Sequence, residues 1–260
     1  MDAKREFVSV ALDSHVALVT IDRPPVNALN AQLREELAAT FADLDREPEV
    51  YSVVLTGGDR VFSAGVDIRD LAVAPASDAI PRNERYQSVY LSIEHSRAPV
   101  IAAINGYALG GGCELIMACD IRVSAEDAFF GLPEINLGGY PGIAGPQRLA
   151  RLVGLGKAKQ MVMTGTRIGA SEAHRLGLVD ELAPPNQAVA TATEIAQQIA
   201  SKPPLSVQAA KQGLNLGRDL PLERAQALDL RFVGEVAWTE DRAESLQAFL
   251  EKRPPRLVGR

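Results

Sequence analysis

Apolar residues recur along this chain at two spacings. Residues 8–12 and 16–21 read as an opening pair of strands, with Asp13 and Ser14 as the turn between them. Residues 31–44 place Leu33, Leu37, Phe41 and Leu44 at helical intervals, and Asn30 stands where a cap is needed. Residues 53–56 are the next strand, closed by a turn at Gly57 and Gly58. A helical pattern over residues 77–96 is interrupted early by Pro81, and residues 100–104 and 121–124 are short buried strands. From about residue 191 the pattern becomes helices at 191–201, 205–216, 222–236 and 239–252, jointed at Pro203, Pro204 and Pro221. Leu222, Ala225, Leu228 and Phe232 share one side of the third of these, which predicts core or intersubunit contact rather than a ligand groove. Arg253-Pro-Pro-Arg256 predicts a loose tail.

Strands and helices that recur with pairs of strands between helices indicate an α/β domain whose topology the pattern does not name. The 260 residues suit one large domain or a domain with an appended subdomain. Hydrophobic residues at 47% and charged residues at 23% describe an ordinary globular chain. A net charge of −6 argues against a nucleic-acid surface. No apolar run reaches membrane-spanning length, and the charged amino terminus leads into a strand rather than a signal core, so the cytoplasm is the expected location. Cys113 and Cys119 make neither a disulfide framework nor a metal site.

Candidate chemistry is concentrated in three segments. INGYALGGGCELIMACD (residues 104–120) sets Gly110, Gly111 and Gly112 between an apolar strand and an apolar segment with helical potential. Three glycines weaken either element, so the backbone there is shaped for something else; one reason is an amide that must face a ligand with no Cβ in the way. Glu114 follows at the start of the helix, where the plainer reading is a favourable acid beside the helix dipole. FFGLPEINLGGYPGIAGPQRL (residues 129–149) carries a second acid, Glu134, behind Pro133, which predicts a rigid, non-helical connection. VFSAGVDIRD (residues 61–70) passes through Gly65 into a helix start, with the Val66 amide near the terminus and Asp67 as its cap.

With DRPPVNALN (residues 22–30), FLEKR (residues 249–253) and the order of all five segments, the chain resembles the enoyl-CoA hydratase/isomerase (crotonase) superfamily. The resemblance implies a crotonase-like spiral of repeated ββα units at residues 1–195 and a C-terminal helical trimerisation region at residues 196–260. It implies an oxyanion hole at the amides of Val66 and Gly111, with Glu114 and Glu134 as the acid/base pair of a hydratase acting on an acyl-CoA thioester. Coenzyme A would enter as part of the substrate, with no cofactor tightly bound. Its contacts fall at Pro25, Val26, Ala28, Ala64, Asp67 and Ile68, with Phe249 and Lys252 supplied by an adjacent subunit of a homotrimer or hexamer. The same resemblance leaves open a double-bond isomerase or dehydratase, and, further off, a non-catalytic acyl-CoA- or RNA-binding member.

Smaller expectations follow. Gly142 is placed to add an amide near the site. Ala144 and Pro146 depart from the common pattern at a helix start that tolerates proline. Tyr140 either narrows the acyl pocket or packs with its hydroxyl in water. The basic clusters Arg148, Arg151, Lys157, Lys159 and Lys252, Arg253, Arg256 are solvated helix faces or guides for a CoA phosphate. His15, His95 and His174 lie outside the acid-bearing segments, and Cys113 reads as a core filler.

Overall fold

A computed structural model describes residues 5–260. The chain opens with a hairpin of β1 (Val8–Asp13) and β2 (Val16–Ile21), followed by α1 (Ala31–Leu44), β3 (Ser52–Thr56), α2 (Ile68–Val73) and α3 (Ala79–Glu94). Next come β4 (Val100–Ile104), β5 (Tyr107–Leu109) and α4 (Gly111–Ile116), then β6 (Ile121–Ala125), β7 (Phe129–Gly131), a 3-10 turn at Pro133–Leu137, α5 (Gly145–Val153) and α6 (Leu155–Thr164). The remainder is β8 (Ile168–Gly169), α7 (Ala170–Leu176), β9 (Glu181–Ala183) and the helices α8 (Ala188–Ala200), α9 (Pro204–Gly217), α10 (Leu222–Ala237) and α11 (Glu240–Glu251).

The strands sort into two sheets. One has the order β1-β2-β3-β4-β6-β9, parallel beyond the first hairpin, and the other the order β5-β7-β8. Successive units β4-β5-α4 and β6-β7-α5 each add one strand to each sheet, which winds the chain into a spiral. Isolated parallel bridges of Ser63 to Ala108 and of Leu29 to Val66 carry the smaller layer back to the first units.

Period-two burial explains why β3 and β4 are apolar throughout. Val53, Leu55, Val100, Ala102 and Ile104 face the main core with α1, α3 and α4. Val54, Ile101 and Ala103 face the other way, onto Ala188, Ala192, Ala196 and Ala200 of α8. Alanines at every fourth position let that helix approach the sheet closely, and Ser52 Oγ donates to the Ala196 carbonyl at 2.9 Å. The boundary at residues 195/196 falls inside this helix.

Asn30 caps α1 by accepting from the Leu33 amide at 2.9 Å, as the sequence indicates. Pro81 does not interrupt a helix: it occupies the first turn of α3, where its missing amide has no partner to lose. Glu134 lies in a 3-10 helix rather than a non-helical connection, because Pro133 supplies a helical φ at its first position. The tail is tied down rather than loose. Asp241, fully buried, accepts from the amides of Val258 and Gly259 at 2.7 and 2.9 Å, and Glu244 holds Arg253 at 2.6 Å and the Arg256 amide at 2.8 Å.

One buried ion pair joins the C-terminal helices to the sheet. Lys211 Nζ of α9 lies 2.8 Å from Asp120 and donates to the Ala98 carbonyl at 3.1 Å. Burial raises the Asp120 carboxyl despite the lysine beside it. Lys211→Met leaves that acid buried without its ion-pair partner, held only by the Val100 amide, and should lower stability by about 3 kcal/mol or more. Chemical denaturation of the variant beside Lys211→Met/Asp120→Asn checks this: the double variant should recover part of the loss.

Candidate active site

Asn27 organises the first wall. It is buried with φ +50°, and its Nδ2 donates to the carbonyls of Gly57 and Val61 at 2.9 and 3.0 Å, with Phe62 at 3.2 Å. Ser63 Oγ donates to the Asn27 carbonyl at 2.7 Å and accepts from the Gly65 amide at 3.1 Å. The next residues are stitched to the same segment: Ala64 N to Val26 O at 2.9 Å, Leu29 N to Gly65 O at 2.8 Å, and Asp67 N to Leu29 O at 3.3 Å. Both neighbours of Val66 are thereby engaged by Leu29, and the Val66 amide donates to no backbone carbonyl among the described residues.

The glycine triplet supplies the facing wall, each member for its own reason. Gly110 takes φ +52° with ψ −128°, a conformation that a side chain would strain. A methyl group on Gly111 would come within 3.3 Å of the Val66 nitrogen, and one on Gly112 within 2.6 Å of the Ser63 carbonyl oxygen. Gly111 opens α4, so its amide has no partner inside the helix. Tyr90 Oη donates to the Gly111 carbonyl at 2.8 Å and fixes that peptide from behind. The amides of Val66 and Gly111 are thus brought side by side, both unspent.

Glu114 is 1% exposed, one turn into α4. Its Oε1 accepts from the amides of Ile143 and Gly145, both at 2.8 Å. Gly145 begins α5, and Ala144 before it takes φ +65°, the left-handed turn that lets both amides converge. Gly142 is not the donor: its carbonyl accepts from Gln87 Nε2 at 2.8 Å instead. Pro146 sits within the first turn of α5, where the fold absorbs it.

Glu134 reaches the same place from the 3-10 turn. The Gly110 amide donates to the Gly131 carbonyl at 2.9 Å and so joins the glycine turn to the end of β7. A methyl group on Gly110 would meet Glu134 Oε1 at 2.9 Å, while Glu134 Oε2 is buried without a hydrogen-bond partner. Burial, then the charge of Glu134, pushes the Glu114 carboxyl up to about 8, against the pull of its two amide bonds and Arg148. Burial raises Glu134 as well. Two acids whose charges act on each other titrate as a pair, and this pair keeps a proton at neutral pH.

The residues expected to hold the nucleotide part are arranged as follows. Pro25 is exposed; Val26, Ala28 and Ala64 are half-buried along one rim; and Ile68 is 60% exposed. Pro25 borders a groove of about 430 Å³ that is also lined by Pro24, Asp59 and Arg60. Asp67 caps α2 through the Arg69 amide and pairs with Arg23 at 2.9 Å, contacts that hold its carboxyl below the usual range despite burial. Phe249, 82% exposed, and Lys252 lie on α11 and its cap, and no hydrogen bond or ion pair ties them to the site segments among the described residues.

Other candidates have structural roles. Arg148 pairs with Glu94 at 2.5 Å and Lys157 with Glu172 at 2.8 Å. His15 stacks on Tyr51, His174 contacts the Val179 carbonyl, and His95 ends α3, while Tyr140 is exposed. Cys113 is buried, and burial raises its thiol far from ionisation. Among the described residues no group of three or more His, Cys, Asp or Glu is placed to hold a metal ion. The residues that sequence reasoning missed are the donors Ile143 and Gly145 and the brace Tyr90. Backbone amides carry no sequence signal, and a tyrosine at helical spacing reads as core.

Known proteins share this geometry's framework. A family model described as enoyl-CoA hydratase/isomerase matches residues 12–260. The short-chain-enoyl-CoA hydratase of Clostridium acetobutylicum is 42% identical, with 93% of each chain covered. The crotonyl-CoA hydratase of Syntrophomonas wolfei is 39% identical over 98% of this chain and 99% of its own. The crystal structure of an enoyl-CoA hydratase from Bacillus anthracis superposes with a TM-score of 0.94 at 38% identity, covering 98% of this chain and all of its own.

Between the ordinary carboxylate range and about 8, the folded protein carries a proton on the Glu114/Glu134 pair that the unfolded chain has released. Stability therefore falls as pH rises through that window. Glu114→Gln removes one acid of the pair and its repulsion of the other, so its melting temperature should fall less than that of the wild type between about pH 5 and about pH 8. Parallel melting curves across that range would contradict the buried, protonated acid.

Proposed function

Since the chain belongs to the enoyl-CoA hydratase/isomerase family, we propose that it is an enoyl-CoA hydratase, adding water reversibly to a 2-trans-enoyl-CoA to give the 3-hydroxyacyl-CoA. The observation that carries this reading is two unspent amides, at Val66 and Gly111, facing a buried pair of glutamates that holds one proton. The amides receive the thioester oxygen as negative charge collects there. One such donor contributes about 3 kcal/mol to a transition state of this kind.

In this reading the water oxygen bonds to Cβ while an ionised carboxylate takes the water's proton, and a neutral carboxyl delivers a proton to Cα. Glu114 serves as the base and Glu134 as the acid. Two amides on Glu114 Oε1 favour its charged form, whereas Glu134 Oε2 has no donor to favour its own. Burial of both is what keeps the pair's one proton in place.

The coenzyme A portion is assigned to the rim formed by Pro25, Val26, Ala28, Ala64, Asp67 and Ile68, as part of the substrate rather than a resident cofactor. Phe249 and Lys252 complete that rim from a neighbouring copy in a homotrimer or a hexamer. Support for assembly comes from the apolar residues left exposed on the C-terminal helices, among them Leu214, Leu230, Val233, Trp238, Phe249 and Leu250. No helix of the described residues is long and apolar enough to cross a membrane. We assign the enzyme to the cytoplasm, in keeping with two free cysteines.

The assay is the loss of conjugated thioester absorbance from crotonyl-CoA. Glu114→Gln and Glu134→Gln should each lower kcat by ~10² or more, the scale of lost acid–base assistance. Persistent absorbance, with conversion of a 3-enoyl-CoA instead, would identify an isomerase. Gly111→Ala, whose methyl would press on the Val66 side chain and amide, should lower kcat by ~10².

A further inference from the structure

Arg148 does more than pair with Glu94. It stands on the first turn of α5 with its side chain 10% exposed, and its two terminal nitrogens hold different partners. Nη2 meets Glu94 Oε2 at 2.5 Å, while Nη1 donates to the Ile143 carbonyl at 3.0 Å. The amide of that same residue, Ile143, donates to Glu114 Oε1 at 2.8 Å. A single buried residue therefore links the guanidinium to the carboxyl: the cation grips its carbonyl and the acid grips its amide. Glu94 is the last residue of α3, and its own carbonyl accepts from Asn215 Nδ2 of α9 at 3.3 Å.

Titratable groups bear on Glu114 from several elements. Glu134 does so from the 3-10 turn, Tyr90 from α3, Cys113 from α4 itself and Arg148 from α5. Burial raises the Tyr90 hydroxyl and the Cys113 thiol, so both stay neutral. That leaves an anion, Glu134, that drives a proton onto Glu114, and a cation, Arg148, that opposes it. The charge of Arg148 favours ionised Glu114 and does not bear on Glu134. Glu94 in turn stands against Arg148 and weakens the field that the cation projects into the site.

We propose that Arg148 and Glu94 are positioning residues that decide which glutamate is the base: Arg148 holds the Ile143 peptide on Glu114 and steadies the anion there, and Glu94 limits how strongly it does so. When two acids share one proton, steadying the charge on one places the proton on the other. Glu134 thereby keeps the proton and Glu114 is left free to take one from water. Neither Arg148 nor Glu94 meets the reacting atoms; both act through Glu114. The proposal rests on the hydratase reading for the roles of the two acids and deepens it by naming what keeps those roles apart.

Infrared titration of carboxyl groups in the full-length protein tests this without substrate. It is done in a Glu134→Gln background, where Glu114 titrates alone, with the Glu114→Gln/Glu134→Gln titration subtracted. Arg148→Gln should raise the Glu114 midpoint by about half a unit or more, because the cation is gone and Glu94 is left as a bare negative charge. Glu94→Gln should lower it by about as much, since Arg148 then acts unopposed. With Glu134 restored, the acid limb of kcat/KM for crotonyl-CoA hydration should move in the same two directions. Arg148→Lys keeps the charge and should return the midpoint toward that of the unsubstituted Arg148. A purely structural ion pair would lower the melting temperature of both variants and leave the midpoints in place. Unmoved midpoints, or shifts of the same sign in Arg148→Gln and Glu94→Gln, overturn the proposal. If Arg148→Gln does not fold, Glu94→Gln carries the test alone, and a midpoint that fails to fall overturns it. Opposite shifts in a protein that leaves crotonyl-CoA unconverted would uphold the control of Glu114 and sink the hydratase reading instead.

Discussion

Leu29 and Val66 form a single parallel bridge, and the site depends on it. The bridge uses the Gly65 carbonyl and the Asp67 amide, so the amide between them has nowhere to donate within the sheet. Asn27 and Ser63 hold that segment rigid from one side, and the glycine triplet presses against it from the other. A buried amide without a partner is a cost the fold bears. Here it is placed where a ligand oxygen would offset it, next to a second amide in the same condition at Gly111.

The electrostatics follow from that packing. Glu114 is drawn into the core by the amides of Ile143 and Gly145 at the start of α5, where the helix terminus favours an anion. Glu134 arrives from the neighbouring unit of the spiral because its 3-10 turn follows the strand tied to Gly110. Neither acid has a cation in direct contact. Burial raises both, and the charge of Glu134 raises Glu114 further.

The periphery shows how the helical region is held to the core. Lys211 and Asp120 fasten α9 to the sheet, and Asp241 folds the last residues back onto α11. With the tail fixed, apolar residues of α10 and α11 remain exposed.

Much of the framework was legible from residue order. The core strands, α1 with its cap and the C-terminal helices follow from apolar spacing, because burial on a strand or a helix face imposes a period on the side chains themselves. Gly110, Gly111 and Gly112 announced a backbone function, since few other positions require three missing side chains together. Other features were invisible. β5, β7 and β8 are two or three residues long, too short for any period to register. The tail reads as loose in sequence because its anchor, Asp241, lies in another element. The convergence of Ile143 and Gly145 on Glu114 depends on the left-handed turn at Ala144, a conformation alanine does not advertise. Sequence by itself determined which side chains and which missing side chains the chemistry has at its disposal. Tertiary structure alone decided which amides were left unpaired and which charges were stripped of water, because those properties belong to the surroundings of an atom and not to the residue that carries it.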